Sequence, residues 1–368
     1  MESIITYINK YGNYSFEEKS IGEIDYAILT VLSYLNFDDI LYEDRTKVKL
    51  NDAVKTFFDK YDEKILKTHG FGLRDAYAII KELIDKKRYK DLELYNYIYI
   101  TDENIQFSAM FIDISKDKTF ISIEGTDDEI SGWKEDFQLS YKFPVPAHKE
   151  CIKYLNRNIP LLTDRRYIIS GHSKGGNLAL VGAMYMSLLK QHKVSEIYSF
   201  DGPGLREEEF KSFRYTSLKN KYHKIIPNYS VVGLLLNNKE TYTIVDSSKK
   251  GILAHSIYNW KVNDDKFLVV DSLSPFSIRL DETITNWLNN YDYKTRKELV
   301  DDLFSIFERC NIDNLYKIYA KDLKEITSII KETKRLSPET KEIIKELIHE
   351  YVHNIKEDTF SFIKSKQD

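Results

Sequence analysis

The chain has 368 residues, enough for one large α/β domain with a smaller unit attached. Its 54 basic and 58 acidic side chains leave a net charge of −4 with no basic patch, which argues against nucleic acid as a partner. Tyrosine is abundant (27) and proline scarce (7), unlike a disordered chain, and the two cysteines, Cys151 and Cys310, form neither a metal-ligand nor a redox spacing.

From the N-terminus, Met1 to Ser20 lacks a basic start followed by an apolar core, so no signal peptide is expected. No window reaches eighteen consecutive apolar residues, so no transmembrane helix is expected either, and the expectation is a cytoplasmic protein. Residues 22–42 carry Ile24, Ala27, Ile28, Val31, Leu32 and Leu35 on one helical face. Residues 50–90 read as charged helix with a turn near Gly70–Gly72. The texture then changes to short β-type runs at Tyr95–Tyr99, Gln106–Ile112 and Thr119–Ile123, the first two alternating as if partly exposed. Ala147–Leu155 reads as a helix.

Next comes the most informative stretch. Tyr167, Ile168 and Ile169 form an apolar run that ends in Gly171-His172-Ser173-Lys174-Gly175, and a helix-compatible run follows from Asn177 to Leu189. A serine between glycines at a strand-to-helix turn is the G-x-S-x-G elbow, in which a strained backbone lifts the hydroxyl clear of the sheet edge. The helix N-terminus also aims free N–H groups at that serine. Ile197–Phe200 ends at Asp201-Gly202-Pro203-Gly204, and Lys224–Ile226, Tyr242–Val245 and Ile257–Val262 are further strand candidates. Strands alternating with helices indicate a mainly parallel sheet, whose ligands gather at the carboxyl ends of its strands.

After about residue 275 strand signals stop. Leu299, Leu303, Ile306, Phe307 and Cys310 form one helical stripe and residues 343–355 another, with Ser337-Pro338-Glu339 as the start signal of the latter. The expected organisation is a domain over 1–275 and a helical region over 276–368 whose stripes bury against that domain, each other or a second subunit, leaving a homo-oligomer open. His349 and His353 lie one helical turn apart, but no third ligand accompanies them, so no metal site is expected.

A serine nucleophile needs a base and an acid. Of eight histidines, His172 adjoins the serine, His192 sits in a polar helix end, and His69 and His148 precede the serine in surface-like surroundings. His255, in the loop 249–256, follows the serine as the order Ser…Asp…His requires and is favoured over His223. Asp201, held by a Gly-Pro-Gly turn at a strand end, is the first candidate for the acid, with Asp246 the alternative. The oxyanion donors would be the backbone N–H of Lys174 and the turn at Gly125-Thr126, where Thr126 offers N–H and hydroxyl.

The elbow 171–179 resembles the G-H-S-L-G-G-A-L-A segment of class 3 lipases, and Ile123-Glu124-Gly125-Thr126 with Trp133 and Asp136 resembles their oxyanion segment. Together with Phe200–Gly204 and Trp260, the set is similar to a bacterial family of lipase-like α/β-hydrolases over roughly residues 20–275. The resemblance implies an α/β-hydrolase fold, ester hydrolysis without metal or cofactor, a small-molecule or lipid ester substrate, and a triad of Ser173, His255 and Asp201. Lys174 and Glu124 depart from the pattern, the first replacing an apolar residue and the second an arginine. Class 3 lipases carry the acid in an N-D-x-V-P segment; the matching stretch, Pro227–Gly233, has no aspartate. Two readings compete with hydrolysis: a non-catalytic scaffold, and an acyltransferase or thioesterase using the same serine.

Overall fold

A computed structural model describes residues 2–61, 71–102, 105–126, 130–310, 338 and 341. Eight strands form the central sheet, in the order β2 (Val48–Lys49), β3 (Glu93–Thr101), β4 (Gln106–Asp113), β5 (Lys118–Ile123), β6 (Arg166–His172), β7 (Val194–Phe200), β8 (Tyr222–Pro227) and β9 (Tyr242–Val245). The β2–β5 pairings are antiparallel and the β5–β9 pairings parallel. This is the α/β-hydrolase arrangement that the sequence led us to expect.

The middle strands are buried on both faces, as parallel strands between helical layers must be. β4 is buried from Gln106 to Ile112, although its alternation suggested partial exposure. The reason is that alternate residues enter different cores. Phe107, Ala109 and Phe111 join the cluster containing Leu155, Leu178 and Val181. Met110 and Ile112 join the opposite one, with Ile28, Leu32 and Phe120.

The second face is built by α1 (Ile4–Tyr11), α2 (Glu23–Thr30), α3 (Leu50–Lys60) and α4 (Phe71–Lys81). The helical face expected over 22–42 breaks at Thr30 into a 3₁₀ turn, Val31–Tyr34, which keeps Val31 and Leu32 buried. Beneath these helices the Arg88 guanidinium grips the fully buried Asp25 carboxylate through Nε (2.7 Å) and Nη2 (2.6 Å), while the Tyr7 and Tyr89 hydroxyls donate to the same group. Residues 257–262 do not form one strand. Ile257–Asn259 is a 3₁₀ turn, Trp260 makes an isolated antiparallel bridge with Ser247, and β10 (Lys261–Asn263) pairs with β1 (Glu2–Ser3) and β11 (Lys266–Phe267) in a separate small sheet. Trp260 between them is fully buried and donates Nε1–H to the Ala254 carbonyl, so its apolar side chain is taken up by core packing.

The first face carries α5 (Ile130–Gln138), α6 (Pro146–Asn158), α7 (Lys174–Tyr185), α8 (Pro275–Asn290) and α9 (Tyr293–Arg309). Ser274 caps α8 by accepting from the Ser277 N–H, with Pro275 in its first turn. Phe276, Leu280, Trp287, Val300 and Phe304 bury in the same cluster as Phe107 and Leu178, so α8 and α9 share the core of the sheet. The stripe over 343–355, with His349 and His353, lies outside the described residues. Among the described residues no helix is long and apolar enough to cross a membrane.

Candidate active site

Parallel registry brings the chain's chemistry to one edge. Ile123 of β5 pairs with Gly171 of β6, and His172 of β6 pairs with Phe200 of β7. The turns after these strands, carrying Thr126, Ser173 and Asp201, therefore emerge side by side. Ser173 caps α7 with φ 59° and ψ −137°, a conformation that L-residues rarely adopt, and its N–H donates to the Phe200 carbonyl at 3.0 Å. A Cβ on Gly125 would come within 2.9 Å of the Ser173 Cβ, and one on Gly175 would lie 2.7 Å from the Glu124 carbonyl oxygen. Glycine at these two places lets the turn at 124–126 lie directly against the elbow.

Asp201 follows β7 at φ 49° and is fully buried. Its Oδ2 accepts from His255 Nδ1 at 2.6 Å. Its Oδ1 accepts from the Ser230 hydroxyl (2.5 Å) and the Gly233 N–H (3.1 Å). A carboxylate only accepts, so His255 carries its proton on Nδ1 and leaves Nε2 as the basic nitrogen. The expected pair is thus brought together. Asp246 is not part of it: its carboxylate receives Lys261 Nζ at 2.7 Å and Asn228 Nδ2 at 3.3 Å. Pro227–Gly233, which lacks the aspartate of the class 3 pattern, instead supplies two donors to Asp201. Nothing local in the sequence marks Ser230 or Gly233 for this role.

His255 ends a 3₁₀ turn, Gly251–His255, and its own backbone is tethered to the elbow. Its carbonyl accepts from His172 Nε2 at 2.8 Å, which leaves His172 Nδ1 to accept from the Tyr34 hydroxyl, also at 2.8 Å. The two imidazole rings lie 4.4 Å apart. Burial, aided by the neighbouring His255, holds the His172 pKa well below the ordinary value, so this ring is a neutral strut. The next residue, Ser256, donates its hydroxyl to Asp75 of α4 at 2.7 Å, tying the same turn to the N-terminal helices. The Trp133 ring of α5 stands 6.3 Å from the His255 ring. Ser173 is 2% exposed and His255 7%, so bulk water is largely excluded.

The turn after β5 and the start of α7 meet over a buried charge cluster. The Thr126 hydroxyl donates to Asp136 Oδ2 at 3.0 Å, and Lys174 Nζ reaches Glu135 Oε2 at 2.8 Å. Lys174 is fully buried. Burial alone would lower its pKa, but Glu135, Asp136 and Glu124 outweigh that and raise it. Burial, together with Glu135, pushes the Asp136 carboxyl up to about 7 against the opposing charge of Lys174. The pairing of Lys174 with Glu135 spans 39 positions and was not legible in the sequence.

The other histidines stand apart. His148 is not in surface-like surroundings: it is 1% exposed, donates from Nε2 to Asn177 Oδ1 at 2.7 Å, and accepts the Val145 N–H on Nδ1 at 3.3 Å. Burial lowers its pKa to about 4. His223 is the second residue of β8, at the far end of the strands, and faces Glu196 at 3.7 Å. His192 is exposed, and His69 lies outside the described residues. Among the described residues no group of three or more His, Cys, Asp or Glu side chains could hold a metal ion.

Solved structures with a similar fold include the M37 lipase (19% identity, TM-score 0.36, covering 59% of this chain and 70% of that one). The Rhizomucor miehei lipase in its propeptide complex matches at 16% identity and TM-score 0.33, covering 45% of this chain and 60% of that one. A fungal lipase–inhibitor complex matches at 12% identity and TM-score 0.35, covering 61% and 78%. No curated protein matches the chain. A family model, however, spans residues 83–305, running from the first long strand through the elbow, the Asp201–His255 pair and α8 into α9, and on that match the chain belongs to the Mbeg1-like family.

Proposed function

We propose that the chain is a serine hydrolase of carboxylic esters, with lipid or other acyl esters as the substrate class. Ser173 Oγ attacks the ester carbonyl carbon while His255 Nε2 takes the hydroxyl proton. The carbonyl oxygen becomes an oxyanion that the N–H groups of Thr126 and Lys174 receive. The tetrahedral adduct collapses, the C–O bond to the alcohol breaks, and His255 returns the proton to the departing alkoxide. Water, deprotonated by His255, then attacks the acyl-enzyme, releasing the acid and restoring Ser173. Asp201 holds the tautomer that each step needs and stabilises the imidazolium.

The observation that carries this reading is the 2.6 Å contact between His255 Nδ1 and the buried Asp201, whose remaining oxygen is saturated by Ser230 and Gly233. A carboxylate so fixed has no other partner to serve. The strained conformation of Ser173 supports the same reading. The test is labelling with a fluorophosphonate, which reacts only with an activated serine. Wild-type protein should label at Ser173 and hydrolyse short p-nitrophenyl esters. Ser173→Ala should lose both while melting at the wild-type temperature, the rate falling by several orders of magnitude. Labelling retained in a folded Ser173→Ala protein would reject this serine.

A further inference from the structure

All the exposed leucines among the described residues, Leu161, Leu162, Leu188 and Leu189, stand at one end of the molecule, and Phe213 joins them. Leu161 and Leu162 lie in the segment between α6 and β6, while Leu188 and Leu189 open the short helix Leu188–Gln191 after α7. The two segments are tied together. The Ser187 N–H donates to Asn156 Oδ1 at 2.8 Å, Lys190 Nζ donates to the Asn156 carbonyl, and Lys193 Nζ donates to the Thr163 carbonyl. Phe213 is brought in by its neighbour Arg214, whose Nη1 donates at 2.8 Å to the Met184 carbonyl near the end of α7. Single exposed apolar side chains are ordinary, but a group of them marks a docking surface. Leu162 is 94% exposed and Phe213 73%, so these side chains project into solvent rather than line a cleft.

The same end is ringed by cations. Arg166, Lys190, Lys193, Arg214 and Lys221 each donate to a backbone carbonyl, and among the described residues none of them forms an ion pair. Elsewhere on the surface Lys211 and Lys239 both pair with Glu207. A carbonyl satisfies a hydrogen bond and leaves the cation's net charge in place. The neighbouring carboxylates, Asp117, Asp164 and Glu196, are fewer than these cations, so the face is net positive.

We propose that this end is a docking surface for an anionic lipid bilayer, the leucines and Phe213 entering between the headgroups while the cations face the lipid charges. Charge complementarity decides the occupant. A second copy docked about a two-fold axis would set the same cations against each other. The strands fix the orientation. Arg166 and Val194 begin β6 and β7, and the other ends of those parallel strands lead into Ser173 and Asp201. β6 has 7 residues, and at about 3.3 Å each the docking surface lies roughly 20 Å from Ser173. A protein held this way presents its Ser173 edge to solution. The bilayer is then a point of attachment and not the source of the ester, so the inference stands apart from the serine-hydrolase reading.

The test is co-sedimentation of the full chain with vesicles of phosphatidylcholine alone and of equal parts phosphatidylserine and phosphatidylcholine. The wild-type protein should bind the second and not the first, and added salt should weaken the binding. Lys190→Gln with Lys193→Gln should lower the partition coefficient about fivefold for each charge removed. Leu162→Ser with Leu189→Ser should lower it about tenfold or more, and both variants should melt at the wild-type temperature because the altered side chains lie at the surface. Wild-type protein that binds neither vesicle, or both alike, would overturn the inference. So would binding that either double variant retains in full. A wild-type dimer in sedimentation velocity that the leucine variant splits would assign the face to self-association and overturn it too. Fluorophosphonate labelling of Ser173 should be the same in all three proteins. Its absence from the wild type would refute the hydrolase reading and leave the docking surface untouched.

Discussion

Replacing Asp201 with asparagine tests the His255 assignment most sharply, because it changes one atom's chemistry and almost no volume. The carboxylate accepts three hydrogen bonds, from His255 (2.6 Å), Ser230 (2.5 Å) and Gly233 (3.1 Å). Two of these converge on Oδ1, and the Gly233 N–H can only donate, so the amide oxygen of asparagine takes the Oδ1 place. Its NH₂ group then faces His255 Nδ1. Two donors cannot meet, so the imidazole moves its proton to Nε2 and loses the basic nitrogen that Ser173 needs. A wrong-tautomer lesion of this kind costs about 10⁴ in rate, or roughly 5.5 kcal/mol of transition-state stabilisation. The assay is kcat/KM for a p-nitrophenyl ester together with the rate of fluorophosphonate labelling, beside a thermal melt. Asp246→Asn is the control, since Asp246 pairs with the half-buried Lys261 and serves no histidine; it should stay within a few-fold of wild type. A folded Asp201→Asn protein within tenfold of wild type would refute the argument that this carboxylate sets the tautomer.

Two further expectations concern stability. The folded state keeps His148 neutral, with a pKa near 4 against an ordinary value of 6.5, so its stabilisation is complete above about pH 6.5 and is lost as the pH falls toward 4. The acid-side loss is about 3 kcal/mol at most, read as a drop in melting temperature between pH 7 and pH 4.5 that a non-titrating His148→Gln variant should lack. Arg88→Met should leave the Asp25 carboxylate buried without its cation and lower unfolding free energy by about 3–5 kcal/mol in denaturant titration. A loss below about 1 kcal/mol would mean that Tyr7 and Tyr89 suffice to hold the charge.

The candidate site was legible in the sequence wherever chemistry coincided with a strand end. The elbow announces itself by two glycines around a serine, and Asp201 by a rigid turn after an apolar run. His255 was reached by chain order among eight histidines. What escaped depends on contacts between distant segments. His148 looks solvated because its neighbours Lys149 and Glu150 are charged, yet the α6–α7 packing buries it against Asn177. Lys174 looks like a surface residue until Glu135 is brought beneath it. Residues 257–262 have strand-like composition, but Trp260 is consumed by core packing and a 3₁₀ turn precedes it. The apolar face over 22–42 is buried through Leu35, but the helix it suggests ends at Thr30 and residues 35–42 are not helical, since burial constrains the face and not the hydrogen-bond register.

The position of Asp201 has a consequence for how such chains should be compared. β7 and β8 are adjacent parallel strands, so their ends lie only about 5 Å apart. A carboxylate launched from either end can reach the same histidine. On the proposed triad, the acid lies one strand before the place that the class 3 pattern gives it, and the matching segment lies beside it as a pair of donors, Ser230 and Gly233. A column-by-column alignment registers an empty acid position and reads it as decay. On the proposed triad the same negative charge reaches the same histidine from a neighbouring strand, so the unit to be matched across such proteins is the sheet edge and not the residue index.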